Sequence, residues 1–235
     1  MTGMLHSGVR IVAWAFGILF AIFLAIQLGF FVQIWWWTAH RPGDTSFMER
    51  RLDELRAKDR GAVLKQVWVP YAAISDDLKR AVIVAEDAKF ADHEGFDWEG
   101  IQKAMEKNQK KGKIVAGGST ITQQLAKNLF LSGERSWWRK GEEAIITAML
   151  EATLSKERIF EIYLNVVEWG NGIFGAEAAA RHYFGIGAAG VTGRQAALLA
   201  SILPSPRRFE KKLDSAYLQK RVEIIVARMP QAQVP

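Results

Sequence analysis

The chain has 235 residues, no cysteine and a formal net charge of +6. This length holds one domain of ordinary size with something left over. The absence of cysteine excludes a disulfide framework and cysteine-ligated zinc, without choosing between cytoplasm and periplasm.

The excess lies at the front. Arg10 is the only Lys or Arg in residues 1–10, and Ile11 to Trp37 then runs for 27 residues without a charge. About 20 apolar residues cross a bilayer core as a helix. Trp35, Trp36 and Trp37 close the run, as aromatic side chains do at a headgroup boundary. A signal peptide has an apolar core of only about 7–15 residues and a small-residue cleavage site. A transmembrane helix over 11–37 is therefore expected, after a short N-terminus at 1–10. Arg41, Arg50, Arg51 and Arg56 follow among acids, so the positive-inside rule does not place the domain outside.

Residues 38–62 are polar and read as a linker with a short helix. Residues 64–74 look extended, with Pro70 as a breaker. Ser75 then caps a helix predicted over 76–90, with Asp76 and Asp77 in its favourable first turn. Further helices are predicted over 98–110, 119–131, 136–154, 156–168, 172–183, 192–203 and 214–228. Thr192 and Gln195 make a capping box. Beta-branched alternation is scarce, so the expectation is a mainly α domain over 63–235.

Three segments are basic: 103–113, 127–140 and 207–221. Such patches suit a polyanion or an anionic membrane surface, and each alone also reads as a solvated face. For a domain tethered beside a bilayer, lipid headgroups are the more economical partner.

In AVIVAEDAKFADHEGF (81–96), Ala81, Val82 and Ala85 line up with Glu86 and, four residues on, with Phe90. Glu86 then belongs to the apolar side of its helix, while Asp87 and Lys89 turn away. A carboxylate against apolar surface has a raised pKa, which is how a general base is tuned. The plain alternative is a helix-end glutamate paired with a nearby cation. Glu86, Asp92, His93 and Glu94 lack HExxH spacing, so metal binding is a weak reading. His93 is expected to hydrogen-bond locally.

In GKIVAGGSTITQQLAKNLF (112–130), Gly112 and Gly117 have P-loop spacing, but Gly118 stands where the lysine belongs. Ser119 lies outside a G-x-S-x-G elbow. The segment reads as a loop entering a helix. Gln123 with Lys127, and Gln124 with Asn128, put polar pairs on adjacent faces beside a helix N-terminus with free amides. Amides suit sugars, and Lys and helix N-termini suit phosphates. Farther on, Arg135, Arg139 and Glu143 are spaced by four and Lys140 and Glu143 by three. One helical face then holds three cations and a carboxylate, which ordinary ion pairing also explains.

Taken together, EDAKFADHEG, GGSTITQQLAKNLFL, RKGEEA, LEATLSKERIFEIYLN, GIFGAEAAARHYFG and AALLASILPSP resemble, in order and spacing, the motifs of glycosyltransferase family 51, the peptidoglycan glycosyltransferases. The resemblance covers about residues 70–209. No penicillin-binding domain follows, so the monofunctional, membrane-anchored members are the nearer likeness, with a proteobacterial flavour. The resemblance implies a lysozyme-like helical domain with a membrane-dipping lobe near 98–118. It implies polymerisation of lipid II into linear β-1,4 glycan by one inverting displacement, with release of undecaprenyl pyrophosphate. Glu86 matches the catalytic base, and Glu143 the second glutamate, which assists the leaving group directly or by orienting basic residues. Lys127, Arg135, Arg139 and Lys140 match pyrophosphate-facing positions. Asp87, Phe90, His93, Gly118, Ser119, Thr120, Gln123, Gln124 and Asn128 are the other implied substrate-binding residues. Glu142 departs from members that carry a basic residue there. No cofactor is required, and a divalent cation, Mg or Mn, at the pyrophosphate is left open. The implied partners are lipid II, the growing glycan, membrane lipids, penicillin-binding transpeptidases and division proteins, and no nucleic acid. The implied location is the cell inner membrane of a Gram-negative bacterium, with the domain on the periplasmic side.

Overall fold

The computed structural model describes residues 2–113, 117–131 and 136–235, with side chains from residue 13 onward. The chain divides into two compact units, Met1–His40 and Arg41–Pro235. The first is the helix α1 (Thr2–Trp36). Its stretch Ala13–Trp36 has a mean hydropathy of 2.5 over 24 residues, and among the described residues it is the one helix long and apolar enough to cross a membrane.

The second unit is mainly helical. It opens on α2 (Ser46–Arg56), whose N-cap Thr45 accepts from the Met48 amide. The segment expected as a linker thus carries a helix that is part of the domain. Met48 is buried, and Arg51 reaches Glu168 through Nε (2.7 Å) and Nη2 (2.9 Å), both side chains being almost fully enclosed. The following helices are α3 (Asp76–Glu86), α4 (Trp98–Lys111), α5 (Ile121–Phe130), α6 (Trp137–Thr153), α7 (Lys156–Val166), α8 (Ala176–Phe184), α9 (Gly193–Ile202), α10 (Pro206–Phe209) and α11 (Ala216–Arg228). α9 packs against α3 and α11, and α5 against α2, α6 and α7. Ile159, Phe160, Ile162, Tyr163 and Leu164 of α7 are completely buried, which puts that helix at the centre of the core.

Two expectations fail here. The helix foreseen over 76–90 stops at Glu86, because Asp87 leaves helical geometry (φ −161°, ψ 79°). Phe90 therefore shares no helix face with Glu86. The helix foreseen over 172–183 begins only at Ala176, because a small sheet precedes it. The strands β1 (Lys65–Gln66), β2 (Glu168–Gly170) and β3 (Ile173–Phe174) lie in the order β1-β3-β2, with β1 parallel and β2 antiparallel to β3. Gly175 ends β3 with φ +82°, and a Cβ there would lie 2.7 Å from the Asn165 carbonyl oxygen. A residue with a side chain does not fit that turn.

Candidate active site

Glu86 is the last residue of α3, and the residue after it does structural work. Asp87 is buried. Its Oδ2 accepts from the amide of Ile121 (3.0 Å), the first residue of α5. Both carboxylate oxygens lie within hydrogen-bond distance of His93 Nε2 (3.0 and 3.1 Å). His93 Nδ1 accepts from the Gly95 amide (3.1 Å), so the proton sits on Nε2 and is donated to Asp87. Gly95 has φ +86°, and a Cβ there would come within 2.7 Å of Thr147 Cγ2. The Gly95 carbonyl accepts from Thr120 Oγ1 (2.7 Å), and Thr120 forms a capping box with Gln123 at the start of α5. These groups bind the end of α3 to the start of α5.

That lock corrects several expectations. Asp87 does not turn away from the core. The start of α5 is not rich in free amides, since Thr120, Ile121 and Gln123 donate to Gln123 Oε1, Asp87 Oδ2 and Thr120 Oγ1 respectively. Phe90 is wholly enclosed, with Lys156 Nζ 4.6 Å from its ring centroid. Asp87, Phe90, Thr120, Gln123 and Asn128 are all buried, and of the five only Asp87 and Thr120 reach the lining of the cleft beside Glu86. His93, as expected, bonds locally.

Glu86 itself is held differently. Gln124 Nε2 donates to its Oε2 (3.0 Å), and the Tyr163 hydroxyl donates to Gln124 Oε1 (3.0 Å). Burial, with Glu86 and Asp87 close by, pushes the Tyr163 pKa well up, so the phenol stays a donor. Its donation fixes which end of the Gln124 amide faces the carboxylate. Glu86 Oε1 is buried and accepts no hydrogen bond. Arg221 Nη2 of α11 stands 3.8 Å away as an ion-pair partner. Burial raises the Glu86 carboxyl above its ordinary value, with Asp87 adding to the rise, while the Gln124 hydrogen bond, Arg221 and Lys127 hold it back.

Glu86 opens on a cleft of about 490 Å³ whose lining includes Lys89, Lys103, Gly118, Ser119 and Arg228. Gly118 is there for contact: a Cβ would sit 2.9 Å from the Ile101 Cα, so only glycine lets the loop lie against α4. Glu143, Arg139 and Lys140 gather in a separate cluster on α6, outside that lining. Glu143 is buried, pairs with Lys140, lies 3.5 Å from Arg139 Nη1, and its carbonyl accepts from Thr147 Oγ1 (2.7 Å). Arg135, and residues 114–116 of the lobe expected at 98–118, lie outside the described residues. Among the described residues no three His, Asp or Glu side chains converge as a metal site.

Sequence reasoning passed over Tyr163, Arg221 and Arg228. Tyr163 lies inside LEATLSKERIFEIYLN, among apolar neighbours that give no sign of a polar contact. Arg221 and Arg228 come from the other end of the chain, and Arg221 was read there only as part of a basic tail.

The Transglycosylase family model matches residues 53–230, which takes in Glu86 and all of α11. The chain is 61% identical over 219 residues to the biosynthetic peptidoglycan transglycosylase of Dechloromonas aromatica (strain RCB), covering 92% of this chain and 94% of that protein. It is 57% identical over 226 residues to the protein of the same name from Janthinobacterium sp. (strain Marseille), covering 96% and 98%. The corresponding figure for Herminiimonas arsenicoxydans is 55% over 226 residues. Such identity extends over nearly the whole chain, and it carries the likeness of the motifs to its conclusion: the chain belongs to the Transglycosylase family, the peptidoglycan glycosyltransferases.

Proposed function

We propose that this peptidoglycan glycosyltransferase polymerises lipid II with Glu86 as general base. The observation that carries the reading is Glu86 Oε1, a buried carboxylate oxygen that accepts no hydrogen bond beside an open cleft. Oε1 takes the proton of the 4-hydroxyl on the acceptor GlcNAc. The hydroxyl oxygen attacks C1 of the donor MurNAc, the C1–O bond breaks, and undecaprenyl pyrophosphate leaves with the bonding pair. One such displacement turns an α-linked donor into a β-1,4 glycan. Lys127, Arg135, Arg139 and Lys140 offset charge on the leaving pyrophosphate, the electrostatic contribution that is usually largest. Glu143 orients Lys140 and Arg139, a role supported by its ion pairs with both. With α1 in the inner membrane and the domain on the periplasmic side, the site meets lipid II at the membrane surface. The test is incubation of the detergent-solubilised full chain with labelled lipid II, followed by muramidase digestion. Polymer that muramidase cuts to disaccharide units supports the reading, and unchanged lipid II sinks it.

A base works only when ionised, and the Glu86 pKa is raised from 4.5 by burial. The acid limb of kcat/KM is therefore expected above pH 4.5, with activity lost as pH falls through the raised value. A limb at or below the ordinary glutamate range would remove Glu86 from the role.

Tyr163 acts through Gln124. In Tyr163→Phe the Gln124 amide loses its fixed orientation, and with it the bond that holds the Glu86 pKa down. The expected result is a kcat roughly tenfold lower, as from about 1.4 kcal/mol of lost positioning, with KM little changed and the acid limb moved to higher pH. A fall in kcat with the limb unmoved would reduce Tyr163 to packing.

A further inference from the structure

The solvent side of α6 is built the wrong way round for water. Its exposed residues are Trp137, Trp138, Gly141, Ile145, Ala148 and Ala152, with Met149 half-buried at their edge. At 100° per residue the six exposed positions fall on one contiguous stripe about 100° wide. The stripe holds no charged and no hydrogen-bonding side chain except the indole N–H groups. A surface helix of a globular protein carries polar residues on that side. α4 and α11 are mixed on that side, exposing Lys103, Glu106 and Lys110 beside Trp98 and Met105 in one, and Lys220, Glu223 and Arg228 beside Tyr217, Ile224 and Val226 in the other. The charges of α6 lie off the stripe: Glu143 is buried against Lys140 and Arg139, Glu151 is turned to Lys156 and Thr122, and the half-buried Glu142 lies about 40° beyond Trp138. The two tryptophans at its N-terminal end are 93% and 73% exposed.

From this we infer that the outer face of α6 rests in the interfacial layer of a lipid bilayer. An exposed apolar stripe that runs the length of a helix marks a contact surface. The occupant follows from two observations. The same chain carries a helix able to cross a membrane, so a bilayer is the apolar phase at hand. Adjacent exposed tryptophans suit the headgroup boundary, where the ring is buried and the N–H stays wet. The small residues Gly141, Ala148 and Ala152 let the helix backbone settle close to that layer. The helix lies in the membrane plane, apolar face down, as interfacial helices do. This face is separate from the lysine-bearing α4 and from the cleft at Glu86.

The inference rests on α1 as a membrane anchor, so the test reads both. The chain has no cysteine, and a Cβ at Gly141 would meet nothing within 4 Å. Gly141→Cys in the full-length protein therefore gives a single spin-label site on the stripe. Ala148→Cys, also exposed and nearly isosteric, serves if the first variant misfolds, and Glu223→Cys on α11 is the aqueous reference. Each labelled protein is reconstituted into vesicles of phosphatidylethanolamine and phosphatidylglycerol, and flotation first checks that it is held. Power saturation then compares access by oxygen and by a water-soluble nickel chelate. Expected is a reversal of sign: oxygen dominates at 141 and 148, the chelate at 223. If the chelate dominates at 141 and 148 in protein that floats, the stripe faces water and the inference falls while the anchor stands. Shielding from both reagents, or spin–spin broadening, would give the face to a protein partner or a second copy and overturn it equally. Failure to float would remove the anchor itself, and the inference with it.

Discussion

Glu86→Gln is expected to abolish polymerisation and to make the domain more stable. The substitution keeps the shape, and its carbonyl oxygen still accepts from Gln124. It removes the ionised Oε1 that takes the proton. General base catalysis is worth typically about 10²–10⁴-fold, so turnover falls to the assay floor or near it. Stability moves the other way because the carboxyl is raised by burial. Its folded-state pKa stands above its unfolded one, so the folded chain binds more protons between the two. The Glu86 contribution is then most favourable below the unfolded pKa and is lost as pH rises through the folded one. At neutral pH the wild type holds a buried charge that the variant lacks. Thermal unfolding in detergent from about pH 4 to 8 should show the variant melting higher, with a gap that widens with pH. Near-normal turnover of lipid II by the variant would remove Glu86 as the base, and a gap independent of pH would remove the buried charge.

Asp87→Ala should destroy activity by a different route. It deletes the acceptor shared by the Ile121 amide and His93 Nε2, leaving a buried helix start and an imidazole without their partner. Hydrogen bonds to a charged group contribute about 1.5–3 kcal/mol each, and the two are coupled, so a loss of about 3 kcal/mol is expected. For a domain of this size that is a fall in melting temperature of roughly 10 °C. Activity goes with it, since α5 carries Gln124 and its seating against α3 sets where the amide meets Glu86. Asp87→Asn keeps one acceptor oxygen and should fall between. The check is thermal melting and lipid II turnover for all three proteins. An alanine variant that melts like wild type would show that the lock does not hold α5.

Helix by helix, much of this was readable in advance from apolar spacing, and Ser75 caps α3 with its own side chain as expected. The burial of Glu86 was readable too, since the apolar run ends on its carboxylate and burial does raise its pKa; its part in catalysis rested on the resemblance. The errors have physical causes. Period-3.6 spacing continues from Glu86 to Phe90 by coincidence, and nothing local reveals that Asp87 spends its carboxylate on an amide 34 positions later. Gln123 looked like a wet residue because its capping partner, Thr120, was assigned to substrate. Strands of two or three residues are too short to leave a period of two. Arg221 reaches Glu86 from 135 positions away, a pairing that only the packing of α11 beside α3 creates.

The division of labour between positions 86 and 87 has an evolutionary consequence. The proposed base is a carboxylate whose Oε1 accepts no hydrogen bond and meets Arg221 at 3.8 Å, while the neighbouring Asp87 ties α3 to α5. Drift at the two positions is then decoupled. A duplicated copy relieved of its reaction would be free to lose Glu86 and gain thermal robustness as it did so, whereas loss of Asp87, His93, Gly95 or Thr120 would cost it stability. Descendants with an intact second half of the motif and a neutral residue at 86 are thus identifiable as folded, substrate-sized shells that no longer build polymer.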